Sequence, residues 1–199
     1  VLGRYVLSVR NLAKLRLSRL RWPLFRSILP VGAVASITSV QTNVIIASAT
    51  ALVASATRAS AVAGYGTGAR LEYLLIPLTF GLGAPLVALV GTNIGAGNRE
   101  RALRIAFAGG AIAFILTETI GIATALWPHA WLGLFSADPQ VIESGAAYLH
   151  AVGPFYGFFG LGLALYFASQ GAGRLFWPLT AGFLRMVVGI GGGWLALRL

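Results

Sequence analysis

Glu118, in the stretch FILTETIGI (114–122), is a carboxyl embedded in an apolar run. An acidic group held away from water is expensive, and it is a functional candidate by default. Here it is the candidate for proton exchange, and a hydrogen bond to a neighbouring segment is its other available use. A second polar group lies in SITSVQTN (36–43), where Thr38, Gln41, Thr42 and Ser48 share one stripe at helical spacing, with Ser39 and Asn43 beside it. Such a stripe cannot face lipid cheaply. Thr38, Gln41 and Asn43 are therefore candidates to line a substrate or cation path, and helix-to-helix hydrogen bonding is the alternative. Aromatic residues dominate a third stretch, GPFYGFFGLGLALYFASQ (153–170). Aromatic faces take flat, lipophilic and cationic molecules by stacking and cation–π attraction, though packing and lipid contact use the same residues. Tyr156 and Tyr166 stand out for their hydroxyls.

Other chemistries find no support. There is no cysteine, hence no thiol nucleophile and no thiolate metal site. His129 and His150 cannot form a zinc site alone, so no metal is expected. GYGTGAR and GTNIGAG fit neither dinucleotide nor P-loop spacing, and the metalloprotease, serine-hydrolase and paired-carboxylate patterns do not occur. Neither an enzyme nor a cofactor is expected.

The elements that must hold these residues follow from composition. Of the 199 residues, 57% are hydrophobic and 10% charged, where a soluble domain is about a quarter charged. Fifteen Lys and Arg outnumber five Asp and Glu, but they punctuate long uncharged runs instead of covering a solvated face, which excludes a nucleic-acid partner. About 20 apolar residues cross a bilayer as a helix. Five spans fit, at 28–52, 71–95, 103–127, 145–168 and 176–197, so the fold class is all-α, a polytopic transmembrane helix bundle in contact with the lipid bilayer. Glu118 is the acidic residue well inside one of these spans. The glycine-rich ASAVAGYGTGAR (59–70) reads as a connection, as do GAGNRER (95–101), WPHAWLGLFSADPQ (127–140) and QGAGRLFWP (170–178).

Basic residues set the orientation. Seven in 1–26, three in 97–104 and Arg174 fall on one side, Arg58 and Arg70 on the other, so the first group is expected in the cytoplasm. The two cytoplasmic returns, NIGAG and SQGAG, resemble each other and suit left-handed glycines at helix ends. Pro85 and Pro154 each remove a helical hydrogen bond and allow a bend.

Two long stretches, ARLEYLLIPLTFGLGAPLVALVGTNIGAGNRERA (69–102) and WLGLFSADPQVIESGAAYLHAVGPFYGFFGLGLALYFASQGAG (131–173), resemble the carboxy-terminal lobe of MATE transporters, the multidrug and toxic compound extrusion family. The resemblance implies half of a two-lobe, twelve-helix transporter: residues 1–26 as the tail of a preceding span and a basic inter-lobe segment, and 27–199 as a carboxy-terminal lobe lacking its last span. It further implies a multi-pass protein of the bacterial inner membrane that exchanges protons or sodium for small organic, often cationic, compounds by alternating access, in partnership with an amino-terminal lobe. Some branches carry a carboxylate on the seventh and tenth spans. The matching stretches here, near Thr38 to Gln41 and near Phe159, are neutral, and coupling can lie in the amino-terminal lobe as in other branches. A lipid-precursor flippase of related architecture and a non-transporting structural remnant are the alternatives. The chain does not begin with Met and reads as a piece of a longer protein.

Overall fold

The structure, a computed structural model, describes residues 22–56, 59–196 and 198. Most of the basic segment expected at 1–26 lies outside the described residues, and so does Arg58. Contacts divide the chain into two compact units, 1–33 and 34–199. The first is described from Trp22, where it is helical. All that follows concerns the second.

The described elements are helical: α1 (Trp22–Ala56), α2 (Ala59–Gly95), α3 (Arg99–Leu126), the short α4 (Pro128–Leu132), α5 (Pro139–Val152), a 3₁₀ turn (Gly153–Phe155), α6 (Tyr156–Gly171) and α7 (Phe176–Ala196). Among the described residues, five segments are long and apolar enough to cross a membrane, with α5, the 3₁₀ turn and α6 counting as one broken span.

Residues 59–70 are not a connection. They form the first turns of α2, which runs unbroken through Pro77 and Pro85. The glycines that suggested a loop are instead what lets α2 approach α5. A Cβ at Gly64 would come within 2.7 Å of Gly145 N and Val141 O, and one at Gly68 within 2.6 Å of the Tyr148 ring. Lipid tails are as apolar as leucine, so in a bilayer close backbone approach replaces hydrophobic burial as the reason helices associate. The opposite seam is built the same way. Thr117, Gly121 and Ala125 of α3 meet Gly153, Gly157 and Gly160 around the α5–α6 break, where added side chains would strike backbone or the neighbouring helix.

Three small clusters follow α2 down its length. Leu71 and Leu75 pack with Leu132, Ala146, Leu149 and Tyr156. Leu86 packs with Ala113, Ala164 and Phe167, and Val90 with Ala102, Ala106 and Ala168. The core is thus α2, α3 and the broken α5–α6 span. By contrast, α7 has no buried residue, and Gln41 is the buried side chain of α1 among the described residues.

Both expected glycine returns carry the same cap. Gly97 and Gly173 have φ of 78° and 68°. At the first, Asn98 N–H donates to Asn93 O and Gly97 N–H to Ile94 O; at the second, Arg174 N–H donates to Ser169 O and Gly173 N–H to Gln170 O. These are the paired bonds of a Schellman ending, which needs a residue free to enter the left-handed region. At the other end of the bundle, Asp138 accepts from Gln140 N–H at 2.9 Å and starts α5 with Pro139 in its first turn.

Candidate functional site

Because α2 begins at Ala59, Glu72 lies well inside it, roughly 20 Å along the axis from that end and roughly 35 Å from Gly95 at 1.5 Å per residue. Leu71 and Leu75 anchor the buried face of the helix, and Glu72, next in sequence to Leu71, is half-buried at its margin. Tyr148 of α5 lies against Gly68 and donates its hydroxyl to Glu72 Oε1 at 3.3 Å. That distance is long for a hydroxyl on a carboxylate, which leaves the pair room to admit another group. Tyr65, two turns before Glu72, meets the Tyr148 ring edge-on at 5.2 Å between centroids. Its hydroxyl interacts with Thr50 of α1.

Tyr156 closes the cluster from the first residue of α6. It is 2% exposed, and its hydroxyl has no hydrogen-bond partner of good geometry, although it lies close enough to Tyr148 and Glu72 to interact with both. An unpaired buried hydroxyl is costly in any apolar interior, and the neighbouring Tyr148 hydroxyl is a group that can pair with it. The charge of Arg185, on α7, is felt at Glu72 without direct contact. Among the described residues, Glu100 with Arg104 is the ion pair that forms. One carboxylate with a phenolic hydroxyl bonded to it and two more within electrostatic reach is a group that can exchange a proton.

The residues expected from sequence fall into two groups. Tyr156 joins the Glu72 cluster. Glu118, half-buried on α3, accepts from the backbone N–H of Gly157, the next residue to Tyr156. Tyr166 does not join them: it stands about 15 Å further along α6, half-buried against Phe167 and the Leu86 cluster.

On α1, Thr38 donates to Val34 O at 2.9 Å and Asn43 to Ser39 O at 2.8 Å, so both satisfy their donors within their own helix. Gln41 does not. It is 5% exposed, and neither its amide nitrogen nor its amide oxygen has a partner. The amide oxygen rests where a Cβ at Gly182 of α7 would come within 2.6 Å of it. Gln41 of the polar stripe thus rests against α7 one turn from Arg185, whereas Thr50, on the opposite face of α1, meets Tyr65.

Sequence reasoning missed Glu72 and Tyr148, since the loop reading of 59–70 placed Glu72 at the edge of a span. The signal that could have found them is the spacing Gly64, Gly68, Leu71, Leu75, which continues one helical stripe through the glycine-rich segment.

A family model described as MatE matches residues 35–195. The chain is 29% identical over 126 residues to the probable multidrug resistance protein NorM of Thermotoga maritima, covering 63% of this chain and 27% of that protein. It is 32% identical over 110 residues to a protein named FAD transporter from Shewanella oneidensis, covering 55% of this chain and 24% of that protein. The matches span about a quarter of the length of these relatives. No solved structure matches.

Proposed function

The chain belongs to the MatE family of membrane transporters, and from that premise we propose that it forms part of a cation-coupled efflux antiporter whose coupling site is the Glu72 cluster. It is a multi-pass membrane protein of a transporter family, not an enzyme. The observation that carries the proposal is a carboxyl inside an apolar helix, facing the Tyr148 hydroxyl and the unpaired hydroxyl of Tyr156. A carboxyl on an apolar membrane helix is by default a candidate for an ion or proton pathway.

In this reading a proton or sodium ion binds at Glu72 and releases the Tyr148 hydroxyl. The substrate path runs along the polar side of α1, where the unpartnered Gln41 amide is the binding group and Thr38 and Asn43 flank it. Tyr166 lies further along α6 and serves packing. Exchange proceeds by alternating access, with binding of ion and substrate favouring opposite orientations. The resemblance to a multidrug resistance protein supports small organic, often cationic, compounds as substrates. The relative named as an FAD transporter makes a flavin dinucleotide the competing substrate class. The lipid bilayer and an amino-terminal lobe complete the working environment, a bacterial inner membrane.

In everted membrane vesicles, Glu72→Gln keeps the side-chain shape and abolishes titration. Efflux driven by an ion gradient should then fall to the level of vesicles without a gradient, while the protein accumulates normally; undiminished efflux would remove Glu72 from the coupling site. Comparing a fluorescent organic cation with FAD in the same vesicles separates the two substrate classes. The orientation has its own test: with single cysteines at Asn98 and Ala137, an impermeant reagent applied to intact cells should label Ala137 alone, and labelling of Asn98 alone would invert the arrangement.

A further inference from the structure

The break between α5 and α6 gives one peptide group an uncommon partner. Pro154 has no N–H, and the chain tightens into a 3₁₀ turn in which Tyr156 N–H bonds Gly153 O. In an uninterrupted helix that carbonyl would serve Gly157. No side chain at the start of α6 caps it from within its own segment. Gly157 N–H donates instead to Glu118 Oε2, at 2.5 Å, across the seam from α3.

We infer that Glu118 is a positioning residue: its carboxyl holds the first turn of α6 from the adjacent helix and thereby aims Tyr156 at the Glu72 cluster. In a bilayer a freed peptide N–H has no water to turn to, so the α5–α6 break needs an acceptor, and Glu118 supplies it. An acidic group at the positive end of a helix dipole is also favoured electrostatically. The fit is close on both sides. Gly157 has no side chain, and a Cβ there would come within 2.6 Å of Glu118 Oε2 and 2.7 Å of the Phe114 ring. Phe114 and Phe158 meet edge-on at 5.3 Å beside the bond and cover it. Gly121, one turn beyond Glu118, lets the backbone of α3 approach Gly153 O and Tyr156 Cβ. The carboxyl, the glycines and the break are thus one joint, and Tyr156 is the residue it sets. This role needs a hydrogen-bond acceptor and does not need titration, which distinguishes it from proton exchange at Glu118. Its consequence for transport rests on the assignment of the coupling site to Glu72; the cap itself does not.

The test is hydrogen–deuterium exchange of the protein in lipid nanodiscs, followed over residues 153–160, together with ion-driven transport across a pH series. Glu118→Gln retains an acceptor and should keep both wild-type protection and the wild-type pH profile. Glu118→Leu and Gly157→Ala break the same bond from opposite helices, and each should speed exchange at Gly157 by about tenfold, the effect of losing one buried hydrogen bond. Both should also raise the ion concentration needed for half-maximal transport. If Glu118→Leu does not accumulate, Gly157→Ala and Glu118→Gln decide the matter. Loss of the pH profile in Glu118→Gln would make Glu118 a titrating group and overturn the inference, as would unchanged exchange in Gly157→Ala. Should Glu72→Gln transport normally while these exchange results hold, the coupling-site reading fails and the cap stands.

Discussion

Glu72 and Glu118 are both carboxyls on long apolar helices that pack against the same broken span, yet they meet it differently. Glu72 faces the α5 side and finds phenolic hydroxyls, one of them at 3.3 Å and one with no partner of good geometry. Glu118 faces the α6 side and finds a peptide N–H at 2.5 Å. A hydroxyl can rotate away or donate elsewhere, whereas a peptide group is fixed by the helix it belongs to. On our proposal the first arrangement exchanges its partner for an ion, and the second holds the start of α6. Burial of an acid inside a membrane does not distinguish these roles. The mobility of the group it bonds to does.

The comparison breaks most severely if the seams that support it are forced apart. Gly64→Leu on the α5 side and Gly160→Leu on the α6 side would drive side chains into the backbone of Val141 and Gly145 and into Thr117, respectively. Overpacking of this kind costs about 1–3 kcal/mol or more, and both proteins should fail to accumulate in the membrane fraction. Normal accumulation would show that the seams are looser than the contacts imply.

Smaller effects separate the hydroxyls. Tyr148→Phe removes the donor that the ion must displace from Glu72 and should lower the ion concentration needed for half-maximal stimulation roughly fivefold, the scale of one long hydrogen bond to a charged acceptor. Tyr156→Phe removes a hydroxyl that has no partner, so the fold should gain about 1 kcal/mol in thermal or detergent stability while ion stimulation falls. A stability loss in Tyr156→Phe would mean that the hydroxyl is already engaged. The smallest effect belongs outside the core: a Cβ at Gly189 of α7 meets nothing within 4 Å, and Gly189→Ala should leave stability within about 0.5 kcal/mol and transport unchanged.

Much of this was legible in the sequence for identifiable reasons. Apolar run length marked all five spans, and the repeated GAG returns announced two left-handed glycines because few other residues tolerate that backbone. Tyr156 and Glu118 were visible as polar groups in apolar surroundings. Their partners were not, since Glu118 bonds a backbone N–H left over by the 3₁₀ turn at the α5–α6 break, and a peptide group carries no signature in residue type. Glu72 was hidden by a different ambiguity. Glycine at 64, 66 and 68 is common to flexible loops and to helix seams, and only the neighbouring helix, with Gly145 and Tyr148 against it, decides between them. Thr38 and Asn43 show the reverse: their polarity stood out in sequence, yet each satisfies its donor within α1, whereas Gln41 on the same stripe is left without a partner.

The central claim, that Glu72 exchanges its partner and Glu118 does not, is tested most directly by the pH dependence of substrate efflux in proteoliposomes holding wild-type, Glu72→Gln or Glu118→Gln protein. Tyr148 bonds Glu72, and Tyr65, Tyr156 and Arg185 interact with it electrostatically; none of them is a carboxyl. The account predicts that wild type and Glu118→Gln share one pH profile and that the Glu72→Gln profile is flat. A wild-type profile in Glu72→Gln, with a flat one in Glu118→Gln, would reverse the two roles and contradict it.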